Sequence, residues 1–462
     1  MNDKDNKTYL EAELRKTLSH CPDVTTEPED ALKKFIAERR PMVYIIQCGG
    51  SFGDRLPVLN IAKWLMKNLD CDFHLWVGWH RVECLSVLAA SGLPVGRFTV
   101  HQWLKDMLEK HPKPDVVYTN QVMRMEYDPM WQEESLLLRN MLDASDALWI
   151  EVEHQWLVNG FIQPNNTHFR QLRARQETLA EWRVWRKSAK INKAEAANQA
   201  KTIPRVKIEA FPSELLTEEE LKNSDGIFGG WVPPLNITAV RPSAEAAARN
   251  LGRFIVASRL AQKKIIYIGR GGTTMADWGV RAALLTLFEA HTDWVFVAFN
   301  NLKGRENVGD RMTKLVVSDL PEVNHPRIHW VNFGEIYMPD WFRFFDVAVH
   351  HGGCGTVMMG LSSAVPAIVI PDDVADQLQN GIKLEDIGCG IALQPRVAKD
   401  RQYTDIVAAV EKVMNPEEYQ RFKRNCEKWR GILAKVRQCL PCRFRERLFD
   451  CGVDTPRTTA WR

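Results

Sequence analysis

No stretch of about 18 uncharged apolar residues occurs anywhere in the chain, so no membrane-spanning helix is expected. The first 21 residues are polar and lack the apolar run of a secretory leader. A soluble, cytoplasmic protein is the expectation. Charge of one sign is missing too: 61 Lys+Arg against 58 Asp+Glu leave a net charge of +3, too near neutral for bulk attraction to nucleic acid. The 10 cysteines are scattered, not clustered, which excludes a small disulfide scaffold and suits reduced thiols. Short-period repeats and low-complexity segments are absent, which removes solenoid readings.

With 462 residues, 45% of them hydrophobic and 26% charged, the chain exceeds the size at which a single core stops growing, and two domains follow as the expectation. Residues 1–40 read as a polar, helix-prone N-terminal extension. Pro41 precedes the first apolar strand, 42–47, and strands at 73–77 and 115–118 then alternate with helices at 56–68 and 81–90. A second series runs through a strand at 264–268, a helix at 278–290, and strands at 294–299, 328–331 and 347–350. Strand and helix in turn mean a parallel sheet with helices on both faces, and the pattern is used twice. Between the series, Trp231-Val232-Pro233-Pro234 begins a stretch of turn formers reaching Pro242. We therefore expect domains at 41–229 and 263–415, a linker at 230–262 and a terminal helical segment at 416–462.

The segment richest in chemistry is His350-His351-Gly352-Gly353-Cys354-Gly355-Thr356, after an apolar strand and before a helix-forming run. In open parallel sheets ligands bind beyond the carboxyl ends of the strands, where a helix N-terminus offers unpaired N–H groups to an anion. Glycines permit close backbone approach, Thr356 adds a hydroxyl and His351 can donate to a phosphate oxygen. The same residues would also serve as a plain tight turn with a core histidine. About twenty residues on, Asp376-Gln377 follows the apolar strand 367–370. A carboxylate beside an amide suits sugar hydroxyls, and equally a helix cap.

Taken together, Asp346 to Ile391, DVAVHHGGCGTVMMGLSSAVPAIVIPDDVADQLQNGIKLEDIGCGI, resembles the donor-binding signature of the UDP-sugar-dependent glycosyltransferases of GT-B fold, the family of sterol glucosyltransferases and antibiotic-tailoring enzymes. The resemblance implies an α/β GT-B architecture of two Rossmann-like domains facing each other across a cleft, with the terminal segment returning to the first. It implies a diphosphate held by His351, Gly353, Gly355 and Thr356, and sugar hydroxyls read by Asp376 and Gln377. Pro339-Asp340-Trp341-Phe342 is similar to a PHDWLF element of the sterol branch, and the family's uracil platform would fall at 333–338, including Phe333. The turn Gly269-Arg270-Gly271-Gly272-Thr273 stands where the family shows GFGS, a loop facing the donor, with Arg270 in place of the aromatic.

In the first half, Gly50-Ser51-Phe52-Gly53-Asp54-Arg55-Leu56-Pro57 resembles the family's GSRGDxxP loop, with Phe52 replacing Arg. A carboxylate at the end of a first strand can accept the acceptor's proton as its oxygen attacks the anomeric carbon, which makes Asp54 the candidate general base. It can also cap the following helix. The helix end after Gly355 and His351 would stabilise the leaving diphosphate, so no metal and no further cofactor are expected, and no DxD-like pair is present to hold one. The expected partners are a UDP-sugar, with glucose implied by the resemblance, and a lipophilic alcohol such as a sterol. Epimerase-like chemistry or a non-catalytic nucleotide-sugar module are the alternatives. A lone Cys439-Leu440-Pro441-Cys442 is weak as a metal motif. The basic stretch 168–207, with Trp182 and Trp185, reads as a solvated helix face or as one lying on an anionic membrane surface.

Overall fold

Alternation with period two decides how the second sheet is buried. Along Lys264–Ile268, Ile266 and Ile268 face one core while Ile265 and Tyr267 face another, all at most 4% exposed. A strand covered on both faces reads as a continuous apolar run, as Trp294–Phe299 does. The computed structural model describes 243–269, 278–299, 325–331, 336–371, 375–393 and 399–449, and in the first half 42–47, 72–77, 98–101, 103–111, 116–120, 148–153, 205–209, 211–216 and 227–228 with a few single residues.

The chain divides into two compact units, 1–155 with 191–235 and 435–462, and 156–190 with 236–434. The first holds strands β1 (Met42–Gln47), β2 (Asp72–Val77) and β3 (Phe98–His101), helix α1 (Leu104–Lys110), then β4 (Val116–Asn120), β5 (Leu148–Glu153), β6 (Arg205–Glu209) and β7 (Ile227–Phe228). All seven strands are parallel in the order β3-β2-β1-β4-β5-β6-β7. Tyr44, Ile46, Trp76 and Val117 pack with Leu104 and Met107 of α1.

The second unit runs α2 (Ala244–Leu260), β8 (Lys264–Ile268), α3 (Trp278–Ala290), β9 (Trp294–Phe299), β10 (Ile328–Val331), α4 (Met338–Trp341), β11 (Val347–His350), α5 (Cys354–Ser362), β12 (Ala367–Val369), α6 (Ala375–Asp386), β13 (Gly390–Ala392) and α7 (Lys399–Met414), and it takes in α8 (Pro416–Phe449) as far as residue 434, the rest of that helix falling in the first unit. Its six parallel strands are ordered β10-β9-β8-β11-β12-β13. Both sheets thus carry the 3-2-1-4-5-6 order of doubly wound nucleotide-binding folds. Helices α3 and α7 cover one face of the second sheet, and α2 with the aromatic segment Phe342–Phe345 covers the other.

Asp346 ties the start of the central strand pair. Its carboxylate accepts the backbone N–H of Ile265 at 2.7 Å, the Arg259 guanidinium at 2.9 Å and the Tyr419 hydroxyl at 3.2 Å. Burial and the Asp346 charge raise the Tyr419 pKa well above a free phenol. One acidic side chain therefore joins α2, β8, β11 and α8.

Two expectations need correction. The stretch 230–262 was expected as a linker, yet 244–260 is the 17-residue helix α2, because its alanines favour helix and Leu251 and Ile255, one turn apart, bury a stripe against the sheet. The basic stretch 168–207 was expected to be helical, yet its end, Arg205-Val206-Lys207, lies in β6, where Val206 and Ile208 alternate with charges at strand period. Residues 168–204 lie outside the described residues. Cys439 and Cys442 fall within α8, and among the described residues no helix is long and apolar enough to cross a membrane.

Candidate active site

Strand β8 leads outward to β9 and β10 on one side, and the chain returns to place β11 on the other. The carboxyl ends of β8 and β11 therefore flank the topological switch point, where doubly wound folds open their ligand crevice. Gly269, just after β8, donates its N–H to the Val349 carbonyl at 2.9 Å. A side chain there would run into the Phe299 ring and the Tyr267 hydroxyl, so the position has room for glycine alone.

At the end of β11, His350 is fully buried and its Nδ1 accepts the Gly352 N–H at 3.0 Å. That bond fixes the neutral tautomer with the proton on Nε2. Burial, and then the neighbouring His351, push the His350 pKa down to about 3. Gly352 turns the chain at φ +89, a left-handed conformation glycine adopts without penalty. A Cβ at that position would meet the Gln377 carbonyl and the Val369 side chain at 2.6 Å. The Gly352 carbonyl accepts from Asn380 Nδ2 at 2.8 Å, and the turn is thereby pinned to the first turns of α6.

Gly353 is the N-cap of α5, its carbonyl accepting from Thr356 and Val357 at 3.0 and 3.1 Å. No side chain caps this helix and no acidic residue stands in its first turn, so the positive end of the helix dipole is left for an external anion. The His351 ring lies over that end, since a Cβ on Gly353 would meet His351 Nε2 at 2.5 Å. His351, Gly353, Gly355 and Thr356 are each partly exposed on this turn. The structure thus joins an imidazole, glycine backbone and a hydroxyl around one helix start. That arrangement can hold a phosphate.

Asp376 and Gln377 occupy the first turn of α6, beside this turn through the Gly352 and Asn380 contacts. Gln377 is partly buried, and the side chain of Asp376 lies outside the described residues. Asp54, Arg270, Gly271, Gly272, Thr273 and Phe333 also lie outside them. Asn380, 1% exposed, escaped the sequence reading. Its signal was helical spacing, four residues after Asp376 and three after Gln377.

Residues 316–428 match the C-terminal domain model described as erythromycin biosynthesis protein CIII-like. The chain has the GT-B fold of glycosyltransferases. It superposes on the glycotransferase of kitacinnamycin with a TM-score of 0.53 at 15% identity, covering 89% of this chain and 100% of that one. It superposes likewise on the spinosyn forosaminyltransferase SpnP with a TM-score of 0.52 at 14% identity, covering 88% and 99%. These likenesses establish fold alone. In sequence, 197 residues are 32% identical to a sterol 3-beta-glucosyltransferase of Saccharomyces cerevisiae (strain YJM789), 42% of this chain and 15% of that protein. A further 34% identity over 144 residues relates it to the sterol 3-beta-glucosyltransferase of Kluyveromyces lactis, 30% of this chain and 11% of that protein. The matched region is thus a small part of these curated relatives.

Proposed function

We propose that this GT-B chain is an inverting glycosyltransferase moving a hexose, glucose by its sterol-enzyme relatives, from a UDP-sugar to the hydroxyl of a lipophilic small molecule such as a sterol. The observation that carries the reading is the turn after β11: His351 over the uncapped start of α5 at the sheet's switch point, with α6 pinned beside it. The diphosphate would lie against α5 and His351, with the Gly355 backbone and the Thr356 hydroxyl as further donors. Asp376 and Gln377 would read the sugar hydroxyls from the start of α6, and Phe333 with the 271–273 turn would flank the nucleotide.

In the transfer step the acceptor oxygen forms a bond to the anomeric carbon as the bond to the phosphate oxygen breaks. UDP departs with the electron pair, and the acceptor proton passes to Asp54. The charge developing on UDP would be met by the helix dipole and His351, so the step calls for no metal at the donor. Attack opposite the leaving group inverts the anomeric centre.

Incubation with UDP-glucose and a panel of alcohols including sterols, followed by UDP release and product analysis, tests the reading. The expected result is acceptor-dependent UDP release with an inverted glycoside. A general base contributes roughly 10²–10⁴-fold, so Asp54→Asn should lower turnover by that factor with UDP affinity unchanged. Acceptor-independent turnover of the UDP-sugar would indicate epimerase-like chemistry. Binding without turnover would mark a nucleotide-sugar module, and a retained tenth or more of the rate in the Asn variant would move the base elsewhere.

A further inference from the structure

Three histidines come together in the first unit, and nothing in the glycosyl-transfer reading uses them. His74 lies on β2, His101 ends the edge strand β3, and His111 follows the last residue of α1. In the parallel register His74 sits opposite Thr99, so His101, two residues on, projects from the same face of the sheet. Helix α1 starts just past β3 and its seven residues carry the chain back, which returns His111 to the two strand histidines. Ring centroids are 4.0 Å apart for His74 and His111, 5.1 Å for His74 and His101, and 5.7 Å for His101 and His111.

Each residue offers one ring nitrogen to a triangle in which no two of these atoms are more than 4.8 Å apart. His74 Nδ1 and His101 Nε2 lie 2.9 Å apart. Four-coordinate zinc with nitrogens at about 2.0–2.1 Å holds its ligand atoms roughly 3.3–3.4 Å apart, so ring movements of an ångström or so would close the set. His74 and His101 are 7% and 8% exposed, while His111 is partly exposed and leaves an approach from solvent. Filling this space with three imidazoles, where aliphatic side chains would serve a core, suits a cluster selected for its nitrogens.

We propose that His74, His101 and His111 form a binding site for one divalent transition-metal ion of the zinc class, tying the end of α1 to the edge of the first sheet. Imidazole donors suit zinc, copper, nickel and cobalt better than magnesium or calcium, and three protein ligands leave a fourth position for water.

The test uses the untagged full chain, stripped with a chelator and titrated with Zn²⁺ against a chromophoric competitor. One equivalent should bind and raise the melting temperature. His111→Ala, altering the partly exposed ligand at a helix end, should fold normally by circular dichroism and bind Zn²⁺ at least about 10-fold more weakly, with the thermal shift lost. His101→Gln should do the same, and His351→Ala should bind Zn²⁺ as the wild type does. Substitution with Co²⁺ should give the visible absorption of a four-coordinate site, absent in His111→Ala. Failure of the wild type to bind one equivalent, or equal affinity in a folded His111→Ala, would overturn the proposal.

Discussion

The fold holds His350 neutral through burial and the bond from the Gly352 N–H. Protonating it would break the bond from the Gly352 N–H and place a charge in a site with no exposure. An unfolded chain takes up that proton near the ordinary histidine value of 6.5, whereas the folded chain holds it off until about 3. Between those limits the unfolded state binds more protons, so stability rises with pH and is lost as pH falls from about 6.5 towards 3. This group alone would contribute a slope of up to about 1.4 kcal/mol per pH unit. Denaturant unfolding at successive pH values should show that fall, flattened in His350→Asn, whose amide oxygen can still accept from Gly352. An unchanged slope in the variant would show that the loss comes from other groups. At this scale the sequence displayed the glycines and His351 through their order after a strand, but it could not display Asn380. Its role depends on the Gly352 carbonyl, 28 residues away and brought near only by folding.

Among the elements, α2 carries a correctable strain. Its C-terminus closes with the Gln262 N–H to Arg259 and the Lys263 N–H to Ser258, which puts Gln262 at φ 55, a position glycine usually fills. A left-handed non-glycine residue costs about 1–2 kcal/mol, part of which glycine gives back through its freer unfolded chain. Because Gln262 is exposed, Gln262→Gly should stabilise the second unit by about 0.5–1 kcal/mol, read as a higher denaturant midpoint; a lower midpoint would contradict the assignment. Strands β1, β8, β9 and β11 were legible to the residue because buried parallel strands are largely continuous apolar runs between breakers. By contrast β3, Phe98-Thr99-Val100-His101, alternates polar with apolar residues and forms no apolar run, and β6 hides in a run of basic residues. Helix α2 was obscured by the prolines before it, and the fact that 244–260 packs on the sheet appears only once Leu251 and Ile255 have a partner.

For the molecule as a whole, the repeated alternation of strand and helix made two parallel sheets legible, and the structure supplies what alternation cannot, the order of strands. That order locates the switch point, and with it the reason the HHGG turn and Gly269 lie at the ends of adjacent strands. The three-histidine cluster was illegible for the opposite reason: spacings of 27 and 10 residues form no motif, and only the pairing of β2 with β3 brings them together. The central claim is that the turn after β11 binds the diphosphate of a UDP-sugar. Calorimetric titration of UDP into the wild type and His351→Ala tests it most directly. The wild type should bind, and the variant should bind about 1.5–3 kcal/mol more weakly, the loss of a hydrogen bond to a charged group, or roughly ten- to more than a hundredfold. No UDP binding by the wild type, or equal affinity in the two proteins, would contradict it.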